Sequence, residues 1–102
     1  MNKLVIDVAN KKIFLMIITK DDIYSITKEN TKINYEKLTL IIMEFLNSIS
    51  LKLGDISKIY VNRGPGSFAG IRNSISLVKA ISVTRKIDYY CYSLDDFDNE
   101  KD

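Results

Sequence analysis

The stretch Arg63-Gly64-Pro65-Gly66-Ser67-Phe68-Ala69-Gly70-Ile71-Arg72 gathers three of the chain's four glycines and its one proline. Glycine serves where a backbone must turn sharply or come close to another molecule. An apolar run, Ile59-Tyr60-Val61, precedes the stretch and a helical pattern follows it. A glycine-rich turn from strand to helix presents amide N–H groups at the positive end of the helix dipole, which is anion-binding chemistry. The spacing excludes two common phosphate loops. Gly64-x-Gly66-x-x-x-Gly70 is one residue too long for the dinucleotide fingerprint, and no Gly-Lys-Ser/Thr follows for a Walker loop. Two readings stay open: a loop that touches a partner or an anion, or a structural turn stiffened by Pro65 with Gly70 opening the helix.

Other reactive side chains are few. Asp7, at the end of the first strand pattern, has the chemistry to anchor a metal–phosphate group or to bond nearby loop amides. A two-metal nuclease needs several converging carboxylates. Asp7 and one of Glu36 or Glu44 would supply two, but the strand that should carry the next ends in Asn62-Arg63, and a cation there opposes metal binding. The chain has no histidine, so none can bind metal or shuttle protons. Neither Ser67 nor Cys91 has a base beside it in sequence. No catalytic residue, metal site or cofactor bound by this chain alone is expected, and Cys91 reads as a buried bystander thiol in a reducing compartment.

The elements that position these residues follow from periodicity. Residues 3–9 read as a buried strand, and 12–19 as a second whose continuous apolar run suits cover on both faces. After the polar turn Lys20-Asp21-Asp22, residues 23–27 alternate as a third, completing an antiparallel meander. Residues 35–53 are helical, with Asn34 as N-cap and Gly54 closing the helix. Strand 58–62, helix 70–85 and strand 87–92 complete the order of a five-stranded mixed α/β sheet with helices packed on it. Residues 1–94 form one domain, and 95–102 are an acidic tail expected to be disordered.

The helices carry a second pattern. Leu38, Ile42, Phe45, Leu46, Ile49 and Leu53 form the core face of the first, while Leu40, Met43 and Leu51 lie off it. On the second, Ile71, Ile75, Val78 and Ile81 face the core, and Asn73, Leu77, Ala80 and Thr84 form a separate stripe of small and apolar residues. Two such stripes on neighbouring helices suit a partner surface.

Composition sets bounds on function. A chain of 102 residues with 46% hydrophobic content has one core. A net charge of +2 supplies no basic field that captures nucleic acid unaided, so any nucleic-acid contact would come through a partner. The start Met-Asn-Lys-Leu-Val-Ile-Asp lacks the apolar segment of a signal peptide. No apolar run approaches the roughly 20 residues of a membrane span, so a cytoplasmic protein is expected.

Gly64-Pro65-Gly66-Ser67-Phe68-Ala69-Gly70-Ile71-Arg72 resembles the G-P-G-S-F-T-G-L-R signature of the TsaB (YeaZ) family, the non-catalytic partner subunits in bacterial synthesis of threonylcarbamoyladenosine on tRNA. The resemblance continues in Leu4-Val5-Ile6-Asp7, in the approach Leu53-Gly54-Asp55-Ile56-Ser57-Lys58-Ile59-Tyr60-Val61, in Lys79, and in Tyr92-Ser93-Leu94-Asp95. It covers roughly residues 1–97. Departures are also plain: the family's Asp-Thr-Ser is Asp7-Val8-Ala9 here, its loop threonine is Ala69, its helix histidine is missing, and only the N-terminal half is matched. The resemblance implies a ribonuclease H-like domain, the repeating half of the actin-like ATPase fold. It implies pairing through a helix bundle with a TsaD-like catalytic subunit or with itself, a TsaE-like ATPase in the assembly, and ATP used by the complex. Gly64, Pro65, Gly66, Ser67, Phe68, Gly70, Arg72 and Asp7 would make loop contacts; Leu40, Met43, Asn73, Leu77, Ala80 and Thr84 would form the helix interface. Two alternatives stand beside it: a remnant nucleotide- or phosphate-binding domain of the actin-like kinases, and a plain self-associating module.

Overall fold

The computed structural model describes residues 1–93. The acidic stretch 95–102 and the Leu94-Asp95 part of the resemblance lie outside the described residues. The strands are β1 (Asn2–Asp7), β2 (Lys12–Ile18), β3 (Ile23–Glu29), β4 (Ile56–Asn62) and β5 (Asp88–Tyr92), in one sheet of order β3-β2-β1-β4-β5. Short turns join β1, β2 and β3, which therefore pair antiparallel. β4 and β5 are each reached through helical connections and lie parallel to their neighbours, as crossovers require.

Strand alternation sorts the side chains onto two faces. Leu4, Ile6, Ile13, Leu15, Ile17, Ile59 and Val61 are fully buried on one. Two helices cover it, α2 (Leu38–Ser48) through Leu38, Ile41, Ile42, Phe45 and Leu46, and α3 (Phe68–Arg85) through Val78. Val5, Phe14, Met16, Ile18 and Tyr60 lie on the other face and are only half-buried. β2 is thus covered on one face, and its unbroken apolar run overstated its burial.

The first helical stretch differs most from the sequence pattern. It is two helices, α1 (Lys32–Glu36) and α2, broken at Lys37, whose φ of −103° and ψ of 18° leave the helical region. Thr31, not Asn34, is the N-cap: its hydroxyl accepts the Asn34 N–H at 3.2 Å. α2 stops at Ser48, well before Gly54. Asn47, Ser48 and Ser50 weaken the helix, since short polar side chains compete for backbone groups, and the Ser48 hydroxyl donates to the Phe45 carbonyl at 2.6 Å. Ser50 then turns left-handed at φ 60°, and the Leu51 N–H donates to the Leu46 carbonyl at 2.9 Å. That pair, with Ser50 N–H on the Asn47 carbonyl at 3.0 Å, is a Schellman ending. Leu53–Asp55 is a separate 3-10 turn leading into β4.

Ser50→Gly relieves the left-handed strain at a position where glycine is favoured, so the urea midpoint should rise, by about 0.5 kcal/mol in stability after the entropy cost of glycine. A fall in the midpoint would show that the serine side chain contributes more than its backbone angle costs.

Candidate functional site

β1 and β4 run side by side in parallel, but the chain leaves them in opposite directions, β1 toward β2 and β4 through α3 toward β5. In open α/β sheets the crevice at such a reversal is where ligands bind. Here the ends of the two strands are tied together. Asn62, fully buried, donates through Nδ2 to Asp7 Oδ1 at 3.1 Å. The Ala9 N–H donates to the same oxygen at 3.0 Å, and the Gly64 N–H donates to Asn62 Oδ1 at 2.9 Å. Tyr92, at the end of β5, stands near Asp7. Its phenol is pushed up to about 12, first by burial and second by the Asp7 charge.

The glycine loop packs its own backbone against the turn that follows β1. Gly64 sits at φ 123°, a conformation that side chains rarely adopt, and its bond to Pro65 is cis. The Ser67 N–H donates to the Ala9 carbonyl at 2.7 Å. A methyl group on Gly66 would overlap that carbonyl oxygen, and one on Gly70 would overlap the Val8 carbonyl oxygen. α3 begins at Phe68 rather than Gly70, because Ser67 caps it and accepts the Gly70 N–H at 3.3 Å. The amides of Arg63, Gly64, Ser67, Gly70 and Ile71 are all bonded within the chain.

What the loop offers outward is side chain. Phe68 is 73% exposed, with the Arg72 guanidinium 5.2 Å from its ring centre, a cation–π contact. Beside them a shallow groove of about 350 Å³ is lined by Tyr35, Phe68, Ala69, Arg72, Asn73 and Ser76. The Tyr35 hydroxyl donates to the Ala69 carbonyl at 3.0 Å. Asn73 donates to the Tyr35 carbonyl at 3.2 Å. Tyr35 therefore clamps α1 to the start of α3, and the Asn73 amide is occupied by that clamp.

The stripe residues separate. Leu40 and Met43 are exposed at 51% and 41%. Ala80 and Thr84 are also exposed, with the Thr84 hydroxyl on the Ala80 carbonyl. Leu77 is half-buried and packs on the core, as do Ile75 and Ile81. The interval that marked it as an off-face residue placed it at the margin of the core. Cys91, expected buried, is exposed, because β5 is an edge strand and its outer residues lack a neighbour. Among the described residues no cluster of three His, Cys, Asp or Glu side chains is placed to hold a metal, and no helix is long and apolar enough to cross a membrane. Sequence reasoning missed the Asn62 amide as a partner of Asp7, and Tyr35 as the clamp.

Sheet order, the helices on one face and the crevice at β1 and β4 define a ribonuclease H-like domain, the half-unit of the actin-like ATPase fold. Comparisons with known proteins agree. The family described as TsaD, tRNA N6-adenosine threonylcarbamoyltransferase, matches residues 29–93. The tRNA threonylcarbamoyladenosine biosynthesis protein TsaB of Buchnera aphidicola subsp. Schizaphis graminum is 29% identical over 87 residues, covering 85% of this chain and 41% of that protein. The structure of YeaZ from Pseudomonas aeruginosa superposes with a TM-score of 0.83 at 18% identity, over 90% of this chain and 43% of that one. Thermus thermophilus RuvC, solved with a Holliday junction substrate, shares the fold at a TM-score of 0.62 and 10% identity, over 92% of this chain and 65% of that one. The chain belongs to the family described as TsaD, tRNA N6-adenosine threonylcarbamoyltransferase, and it is similar to TsaB and YeaZ proteins. It spans about two-fifths of the length of the TsaB and YeaZ relatives it matches.

Gly66→Ala drives a methyl group into the Ala9 carbonyl and should cost at least about 2 kcal/mol, the range of overpacking and local strain. Gly54→Ala has nothing within 4 Å of the new atom and should stay within about 0.5 kcal/mol. Equal chemical-denaturation midpoints for the two variants would refute the close approach. Tyr92 bears on pH: the folded chain keeps its proton up to about 12 while the unfolded chain loses it near 10. Its contribution is unchanged below pH 10 and declines between 10 and 12, because the unfolded state binds fewer protons there. Carbon-13 NMR titration should show Tyr92 among the last tyrosines to ionise; ionisation at the ordinary value would remove the cause.

Proposed function

We propose that the chain is a non-catalytic TsaB-type subunit of tRNA threonylcarbamoyladenosine biosynthesis, which binds and supports a TsaD-type transferase. The observation that carries this reading is the glycine loop. Gly66 and Gly70 are used for backbone contact with Ala9 and Val8, and the amides of Arg63, Gly64, Ser67, Gly70 and Ile71 are bonded inside the chain. A phosphate cradle needs those amides directed at a ligand. Phe68 and Arg72, the residue types that anchor protein interfaces, are instead presented on the surface. Exposed Leu40 and Met43 on α2 supply apolar area for a helix-to-helix contact.

In this role the chain acts in the cytoplasm, ATP and a TsaE-type ATPase belong to the assembly, and tRNA is met through the complex. The balanced charge of +2 agrees with that division of labour. Pairing with a second copy through the same helices is the competing mode of assembly.

Titration calorimetry with a purified TsaD-type transferase tests the proposal. Leu40→Glu should weaken binding by roughly ten- to a hundredfold, the worth of one buried leucine, while circular dichroism stays unchanged. Leu77→Glu is unsuited to this purpose, because Leu77 packs on the core and the variant would lose stability. Absence of binding to the transferase, together with a dimer in light scattering that Leu40→Glu dissociates, would favour self-association. Saturable binding of ATP by the chain alone would favour the nucleotide-binding alternative.

A further inference from the structure

We propose that Asp7 is a positioning residue of the glycine loop: one of its carboxylate oxygens holds both supports on which the loop rests, and so sets where Phe68 and Arg72 stand. Oδ1 accepts the Ala9 N–H at 3.0 Å and the Asn62 Nδ2 at 3.1 Å, and each bond leads to a different end of the loop. Through Ala9 it fixes the turn whose carbonyl accepts the Ser67 N–H at 2.7 Å and lies against Gly66. Through Asn62 it holds the amide whose oxygen accepts the Gly64 N–H at 2.9 Å. A carboxamide can stand either way round. An ionised carboxylate only accepts, so it forces the NH₂ of Asn62 toward Asp7 and the oxygen toward Gly64. Asn62 is fully buried, so water does not replace either bond when it is lost. An aspartate at the end of β1 was open in the sequence to the part of metal–phosphate anchor. In the structure its Oδ1 is committed to holding the loop.

Phe68 and Arg72 follow directly from the residues so held. Ser67, fixed to Ala9, caps α3, accepts the Gly70 N–H through its hydroxyl, and accepts the Ile71 N–H through its carbonyl at 3.0 Å. The first turn of α3, which carries both side chains, is therefore registered against β1 through Asp7. The consequence for partner binding rests on the function proposed above, whereas the loop geometry does not.

Amide hydrogen exchange on the folded chain reads the loop directly. In Asp7→Ala, the Gly64 and Ser67 amides should exchange about tenfold faster or more, while amides in the β2–β3 ladder keep their rates. Asn62→Asp should do the same, because it sets two carboxylates at hydrogen-bond distance in a buried place. The double variant Asp7→Asn/Asn62→Asp restores a donor on β1 and an acceptor on β4, with a second carboxylate oxygen left for Gly64. Protection should return to within about threefold of wild type. Unchanged exchange at both amides in Asp7→Ala, or no recovery in the double variant, would overturn the proposal. If Asn62→Asp alone does not fold, a folded and protected double variant still supports the pairing and an unfolded one refutes it. With the TsaD-type transferase as probe, Asp7→Ala should lose affinity along with loop protection. Leu40→Glu should lose affinity with the loop amides still protected. If the wild-type chain does not bind the transferase, the partner reading fails and the exchange result stands or falls separately.

Discussion

Two stretches of main chain come closer at one point of this fold than side chains would permit. Val8 and Ala9, just past β1, lie against Gly66 and Gly70, and the Ser67 N–H closes the contact on the Ala9 carbonyl. Most of what distinguishes the molecule depends on that approach. It lets α3 start immediately above the sheet and fixes the path from β4 into α3. Backbone contact of this kind is unforgiving, because neither partner has a rotamer to change.

The same contact governs how the polar groups at the sheet reversal are used. At a sheet reversal the useful chemistry normally comes from unspent amides, hydroxyls and carboxylates around an open crevice. In this chain Val8 and Ala9 supply no hydroxyl, Asn62 stands where a carboxylate would be needed, and Asp7 is joined to it. The polar groups satisfy one another, as buried polar groups must, while Phe68, Arg72 and part of α2 stand exposed.

The sequence made the strands and their order readable because alternation survives wherever one face is buried. The loop was readable for a different reason: concentrating three of four glycines and the proline in one stretch has few physical explanations. Helix boundaries were less legible. The α2 ending uses Ser50 in a left-handed conformation where glycine is the usual signal, so Gly54 drew the boundary too far along. Leu77 was misplaced because a helical wheel gives direction but not the extent of the surface below it. The Asp7–Asn62 pair was hidden more deeply, since the residues are 55 apart in sequence. Only the parallel register of β1 and β4 brings them together, and nothing local specifies it.

The two outer strands of the sheet differ. β3 is exposed along nearly all its length, but it ends in Lys28-Glu29, and Glu29 is paired with Lys12. Charge of this kind guards an edge against a foreign strand. β5 is shorter and carries Tyr89, Tyr90, Cys91 and Tyr92, with its one charge, Asp88, at the start. Among the described residues, then, the two edges differ in length and in where their charge lies. A molecule built this way has polarity as a building block. If two copies met edge to edge through β5, the sheet would continue across them and β3 would form both outward edges.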